Sequence, residues 1–296
     1  MKVMHRVGML VPSSNTTMET EVPALLRARE RERPEDTFTI HSARLRMEEV
    51  TPEALRAMNA QTERATTELA DMRPSVVATA CLVAIMAQGP KHHLLVEAEI
   101  ESILERERAA APAVSSAGAL VDALHALGAR KIAIVTPYLE ELTRLVVAYI
   151  EDAGIEVHDA LSLEVSDNRT VAALDPEDLK SHLKRLDLCD CDALVLSACV
   201  QMPSLPVIEH VERSSDALRG YGDDVGDPAG ARSRARGPGC RRVAPFCIRT
   251  SRLGTPSAHL TLDAEGCPTP GTPELPTRPP SALHLAGFLV RARSEP

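Results

Sequence analysis

Val76-Val77-Ala78-Thr79-Ala80-Cys81 and Ala193-Leu194-Val195-Leu196-Ser197-Ala198-Cys199 are the two stretches that decide how this chain folds. Each is a short apolar run of the length of a buried strand, and each ends on a cysteine followed by text that can begin a helix, residues 82–88 in one half and 200–213 in the other. In an open α/β sheet, the carboxyl ends of the strands face the crevice where small ligands bind. The two runs therefore read as a device that delivers two thiols to one small substrate.

Outward from these runs, the first 212 residues alternate short apolar segments with longer stretches of helical period, the mark of parallel sheet covered by helices. Strands are expected over residues 6–11, 38–43, 76–80, 131–136, 156–163 and 193–198, and helices over 16–31, 51–69, 115–127 and 139–152. The halves echo each other: strand, polar loop and helix begin at residues 7–15 and again at 132–138, with a cysteine strand following at a similar distance. This predicts an α/β protein of two pseudo-symmetric lobes, each a short, mostly parallel sheet flanked by helices, with a cleft between them. The break falls near residues 109–114, giving lobes over 1–110 and 111–212. Residues 213–296 hold 11 of the 22 prolines and 10 of the 15 glycines and keep no period, so a poorly ordered, irregular tail is expected there.

A chain of 296 residues can bury a sizeable core. Its formal net charge of -9 argues against a nucleic-acid partner, which needs a basic face. No apolar run approaches the roughly 20 residues of a membrane span, and no leader pattern opens the chain, so a cytoplasmic protein without membrane contact is expected. Seven cysteines without regular spacing read as reduced thiols rather than as a disulfide framework.

A free thiol is only about 3% thiolate at neutral pH, so a nucleophilic cysteine needs its charge stabilised, and a strand end running into a helix supplies free N–H groups for that purpose. Two sulfurs facing one cleft do not both ionise cheaply, which favours one thiolate beside one thiol. Such a pair suits addition to one carbon and proton transfer at its neighbour. Taken alone, either cysteine reads as a small buried hydrophobe; the matched placement favours the chemical reading. Pro12-Ser13-Ser14-Asn15-Thr16-Thr17 can turn amides and side chains toward an anion or simply cap the next helix. Tyr138 holds the equivalent place in the second half, where its hydroxyl can meet a carboxylate or close a turn, and Asn168 is a loop residue open to either role. Cys189 and Cys191 lack the second ligand pair a zinc site needs, so no metal is expected. His92 and His93 have no suggestive partner and read as solvent-facing at a helix start.

Together, residues 11–19 (VPSSNTTME), 78–83 (ATACLV), Thr136-Pro137-Tyr138, Asp167-Asn168 and residues 197–203 (SACVQMP) resemble the maleate cis-trans isomerases of the aspartate/glutamate racemase superfamily. The resemblance covers roughly residues 4–212. It implies a cofactor-free isomerase, a homodimer, acting on a small dicarboxylate. Cys81 would be the nucleophile that forms a covalent succinyl-thioether, and Cys199 would manage the proton at the adjacent carbon. Asn15, Tyr138 and Asn168, with backbone amides near Leu82, Val83 and Val200, would hold the two carboxylates. Two opposed thiols also suit an acidic amino-acid racemase, and the altered tail leaves room for an inactive dicarboxylate-binding protein; a decarboxylase of this superfamily works with a single cysteine.

The departure from the family pattern begins near residues 212–219. Codons that can encode residues 219–234, read one base later, give AATATTWEILRALGLE, which looks like this family's terminal helix; residues 235–246 allow PGVPGAGALL-like text under the same shift. A tail in a shifted frame is the expectation, and sequencing the DNA checks it: an underlying gene in which no one-base shift yields the apolar helix excludes it.

Overall fold

The computed structural model describes residues 3–220 and a two-residue strand, Val243–Ala244. The first lobe runs β1 (Val3–Pro12), α1 (Met18–Glu32), β2 (Asp36–Leu45), α2 (Pro52–Asn59), α3 (Thr62–Ala70), β3 (Val76–Thr79), α4 (Leu82–Met86), α5 (His92–Arg106) and β4 (Ala113–Ser115). The second continues with α6 (Ser116–Ala126), β5 (Lys131–Thr136), α7 (Glu140–Asp152), β6 (Glu156–Ser162), α8 (Asn168–Ala172), α9 (Leu179–His182), β7 (Ala193–Val195), α10 (Leu205–Gly220) and β8 (Val243–Ala244). The sheets are four-stranded, ordered β2-β1-β3-β4 and β6-β5-β7-β8, and every pairing is parallel. The same order in both sheets makes the lobes pseudo-symmetric, as the echo in the sequence predicts.

Period-two alternation explains how β1 is buried on both faces. Val7, Met9 and Val11 pack with Met18, Val22 and Leu26 of α1, while Leu10 turns to a larger core that extends into the second lobe. Gly8 sits between them, where a Cβ would lie 3.2 Å from side-chain atoms of both Met72 and Val77, so a larger residue there would need these neighbours to shift by a few tenths of an ångström. In the second lobe Ile132, Ala133, Ile134 and Val135 of β5 and Ala193, Leu194 and Val195 of β7 have no exposed surface, as central parallel strands require.

Several expectations need correction. The single helix expected over 51–69 is two, α2 and α3, because the Gln61 side chain leaves the helical path: it accepts from the Arg46 N–H at 3.0 Å and donates to the Arg46 and Ala57 carbonyls. The second cysteine run is extended only over Ala193–Val195, beyond which the chain turns, and α10 begins at Leu205 rather than at residue 200. That helix continues to Gly220, past the point where the composition changes. Ala113–Ser115, within the expected break, pairs with β3 as the fourth strand of the first sheet. His93 is not simply solvent-facing: its backbone N–H donates to the Tyr149 hydroxyl at 3.1 Å and its ring meets the same oxygen, joining α5 to α7. The expected tail and its shifted frame lie, apart from α10 and β8, outside the described residues. Among the described residues no helix is long and apolar enough to cross a membrane.

Candidate active site

Cys81 follows β3 as the N-cap of α4 and adopts the left-handed conformation, φ 74° and ψ 70°. For a residue with a Cβ this costs roughly 1–2 kcal/mol, and the turn holds it because α4 is anchored: Leu82, Val83, Ala84, Ile85 and Met86 are all buried. The sharp turn swings the sulfur out of the strand direction and into the cleft.

Cys199 arrives differently. Ala198 still donates its N–H to the Val135 carbonyl at 3.0 Å, holding the chain beside β5, and the following loop is fixed by side chains. The Tyr138 hydroxyl donates to the Ala198 carbonyl (3.1 Å), Ser197 Oγ to that of Cys199 (2.9 Å), Asn15 Nδ2 to that of Val200 (3.3 Å) and Thr17 Oγ1 to that of Gln201 (2.7 Å). With four successive carbonyls engaged, the N–H groups of Gln201 and Met202 lie by the Cys199 sulfur and both lower its pKa, although that of Met202 also donates to the Cys199 carbonyl at 3.2 Å.

The two sulfurs line one pocket, together with Asn15, Val83, Tyr138, Asn168, Val200 and Gln201. Pro12 closes one side, and Met47 and Val50, from the segment after β2, close another. The enclosed space is about 20 Å³, room for about one water. Both thiols are buried, and burial is the largest influence on each: it pushes Cys81 up to about 12 and raises Cys199 as well. Cys81 receives one compensating N–H, from Ala84, and is raised further by negative charge on Cys199. Cys199 is lowered by the Tyr138 hydroxyl, whose single proton is shared with the Ala198 carbonyl, and by two N–H groups, so the better-supported site for a single negative charge is Cys199. Tyr138 is itself raised well above the usual phenol range, first by burial and then by charge on Cys199 and Cys81, so its hydroxyl stays protonated and donates.

All but one of the sequence-predicted residues line one pocket; the one that does not, Leu82, was expected to contribute its backbone amide. Asn15, Val83, Tyr138, Asn168 and Val200 all line the pocket, whereas the Leu82 side chain is buried in the hydrophobic core and leaves only its backbone near the site. The Val83 N–H points at the Tyr138 oxygen. Asn15 also serves as a cap, its Oδ1 accepting from Thr17 (3.1 Å) and Met18 (2.9 Å) at the start of α1. Asn168 Nδ2 donates to Ser14 Oγ at 2.7 Å, and Asp167 caps α8 so that Asn168 opens the helix. Cys189 is exposed and Cys191 buried, with neither in the pocket.

Sequence reasoning missed Gln201 and Arg44. The Arg44 guanidinium donates to the Ser13 and Asn15 carbonyls at 3.1 and 2.9 Å and pairs with Glu19. Gln201 stood within a quoted motif, but a glutamine between apolar residues carries no signal of its own; its intended partners are loops that meet only in three dimensions.

Residues 7–218 match the arylmalonate decarboxylase family. The maleate isomerase of Geobacillus stearothermophilus is 54% identical over 207 residues, 70% of this chain and 82% of that protein. The crystal structure of the maleate isomerase from Pseudomonas putida S16 is 50% identical, covers 72% of this chain and 85% of its own, and superposes with a TM-score of 0.70. A cysteine-to-serine mutant of the Nocardia farcinica maleate cis-trans isomerase, solved with a covalently bound succinylcysteine intermediate, is 44% identical, covers 74% of this chain and 94% of its own, and superposes with a TM-score of 0.69. With these matches spanning both lobes and both cysteine turns, the chain belongs to the arylmalonate decarboxylase family and, within it, to the maleate isomerases.

Proposed function

We propose that this chain converts maleate to fumarate without a cofactor, through a succinyl thioether on Cys81. The observation that carries the reading is the convergence of two buried thiols, one from each lobe, on a single pocket furnished with neutral donors. The succinylcysteine of the Nocardia farcinica relative supports a covalent route.

In the reactive form one thiol proton has been lost and the pair of sulfurs shares the other. With that proton on Cys199, the Cys81 thiolate adds to one alkene carbon: the S–C bond forms, the π pair moves to the neighbouring carbon, and that carbon takes the Cys199 proton. The former double bond is now single and rotates. The Cys199 thiolate then removes a proton from the same carbon, the pair re-forms the alkene, and the C–S bond breaks to return the Cys81 thiolate. Asn15, Asn168 and Tyr138, with the amides of Leu82, Val83 and Val200, hold the two carboxylates. Neutral donors suit this task because they are fixed before the charge arrives and need not reorganise.

A space of about 20 Å³ does not admit a four-carbon dianion. Binding is therefore expected to widen the pocket, whose lining residues Met47 and Val50 flank the Glu49–Asp167 bridge between the lobes.

Proton NMR of the purified chain with maleate tests the reading: loss of the maleate signal and growth of fumarate are expected. Peptide mass mapping of Cys199→Ser incubated with maleate should find one maleic acid added at Cys81. Deuterium exchange into aspartate or glutamate without maleate turnover would replace this reading with a racemase. Two copies per particle and a cytoplasmic setting belong to the same proposal; sedimentation measures the first.

A further inference from the structure

Gln201 is buried, and its amide spends its hydrogen-bonding capacity on two separate backbone segments, the loop after β1 and the turn at Asn168. Its Oε1 accepts from the Thr16 N–H at 3.0 Å, while Nε2 donates to the Ser14 carbonyl at 2.9 Å and the Asn168 carbonyl at 2.8 Å. The orientation is unambiguous, since a flipped amide would set its NH2 against an N–H and its oxygen against two carbonyls. No other side chain in the pocket reaches the backbone on both sides of Asn15 and at Asn168. From the opposite edge of the same loop, Arg44 draws the Ser13 and Asn15 carbonyls outward. The Ser13, Ser14 and Asn15 carbonyls are thereby all engaged, and the Asn15 and Asn168 side-chain amides, each with one N–H given to the Val200 carbonyl or to Ser14 Oγ, keep a second N–H for an anion.

We infer that Gln201 is a positioning residue for anion recognition: its amide sets the Asn15 and Asn168 donors of the first and second lobes at one spacing, so that a pocket without a cationic lining selects a carboxylate over a neutral group. The inference rests on the functional reading above for the identity of the substrate, but not for its own test.

The test compares alkylation of Cys81 by iodoacetate and by iodoacetamide, two reagents of similar size that differ in charge, followed at the Cys81 peptide by mass spectrometry so that exposed Cys189 does not contribute. In the unaltered chain the rate ratio should favour iodoacetate relative to the ratio measured for the same protein unfolded in urea. Gln201→Ala should lower the folded ratio about tenfold, chiefly by slowing iodoacetate. Gln201→Glu adds a second reading, because a carboxyl can donate to a carbonyl only while protonated: its ratio should approach that of the unaltered chain at low pH and fall as pH rises through the carboxyl's titration, with no such step in the unaltered chain. A ratio unchanged in Gln201→Ala, or a Gln201→Glu ratio that does not move with pH, overturns the inference. Maleate turnover by the unaltered chain is measured beside these; its absence removes the proposed substrate and leaves the alkylation result standing on its own.

Discussion

The two cysteine turns deliver equivalent sulfurs by opposite means. The first lobe uses its own backbone: Cys81 is forced to φ 74° and held there by an apolar helix beneath it. The second lobe uses borrowed side chains, two of which, from Asn15 and Thr17, come from the other lobe. A strained turn that needs only its own core is a local device, whereas a loop whose carbonyls are held from across the cleft exists only when the lobes are docked. Glu21 of α1 extends the same dependence, its half-buried carboxylate accepting from the Ser204 and Leu205 N–H groups, both at 2.9 Å, at the start of α10.

The contrast can be broken at its strongest point by Cys81→Ala, which should lower maleate turnover by roughly 10⁴-fold or more and abolish the adduct at that peptide while leaving the melting temperature nearly unchanged. An adduct that survives would assign the nucleophile to the other turn. Tyr138→Phe removes the donor to the Ala198 carbonyl and to the Cys199 sulfur. A hydrogen bond to a charged group contributes about 1.5–3 kcal/mol, so kcat/KM should fall roughly 10- to 100-fold, with the alkylation pKa of Cys199 moving upward and that of Cys81 hardly at all. Equal shifts at both sulfurs would show that the two turns are not independently supported.

The pH dependence sharpens the comparison further. Both thiols are raised by burial, so the thiolate fraction, and with it kcat/KM, should climb as pH rises above neutral. For stability the sign is opposite: an unfolded thiol ionises near pH 8.5–9 while Cys81 stays protonated to about 12, so stability present below that unfolded value is lost progressively between the two. Urea melts from pH 8 to 11 should show this decline, reduced in Cys81→Ala. The smallest effect is expected from Glu21→Gln. Burial raises the Glu21 pKa while the two N–H groups oppose it, so exchanging charge for a neutral acceptor should change the unfolding free energy from urea titration by about 1 kcal/mol or less, a value that a loss of several kcal/mol would contradict.

The alternation of apolar runs with helical text was enough to read the parallel sheets, and the repeated cysteine run was enough to read two lobes around one cleft. Asn15, Tyr138 and Asn168 could be named as candidates because each stands in a polar stretch beside a strand or in a loop, but position left a cap or turn equally open, and only the resemblance gave them a role; Asn15 indeed also caps α1. Gln201 and Arg44 were not, since their partners are backbone carbonyls and N–H groups, which every sequence possesses and none advertises. The division of α2 from α3 was hidden for the same reason: Gln61 leaves the helix to pair with the backbone of Arg46. Among the helices, α5 was obscured by its own face, for Leu94 and Leu95 are adjacent and more than half exposed, which blurs the apolar stripe.

The left-handed backbone at position 81 also bears on heredity. Glycine is the residue that this conformation accommodates with least strain, so a mutation that discards the sulfur for a hydrogen atom relaxes the turn while disarming it. Replacement of the proposed nucleophile by glycine is thus conformationally downhill, and folding alone does nothing to preserve the thiol.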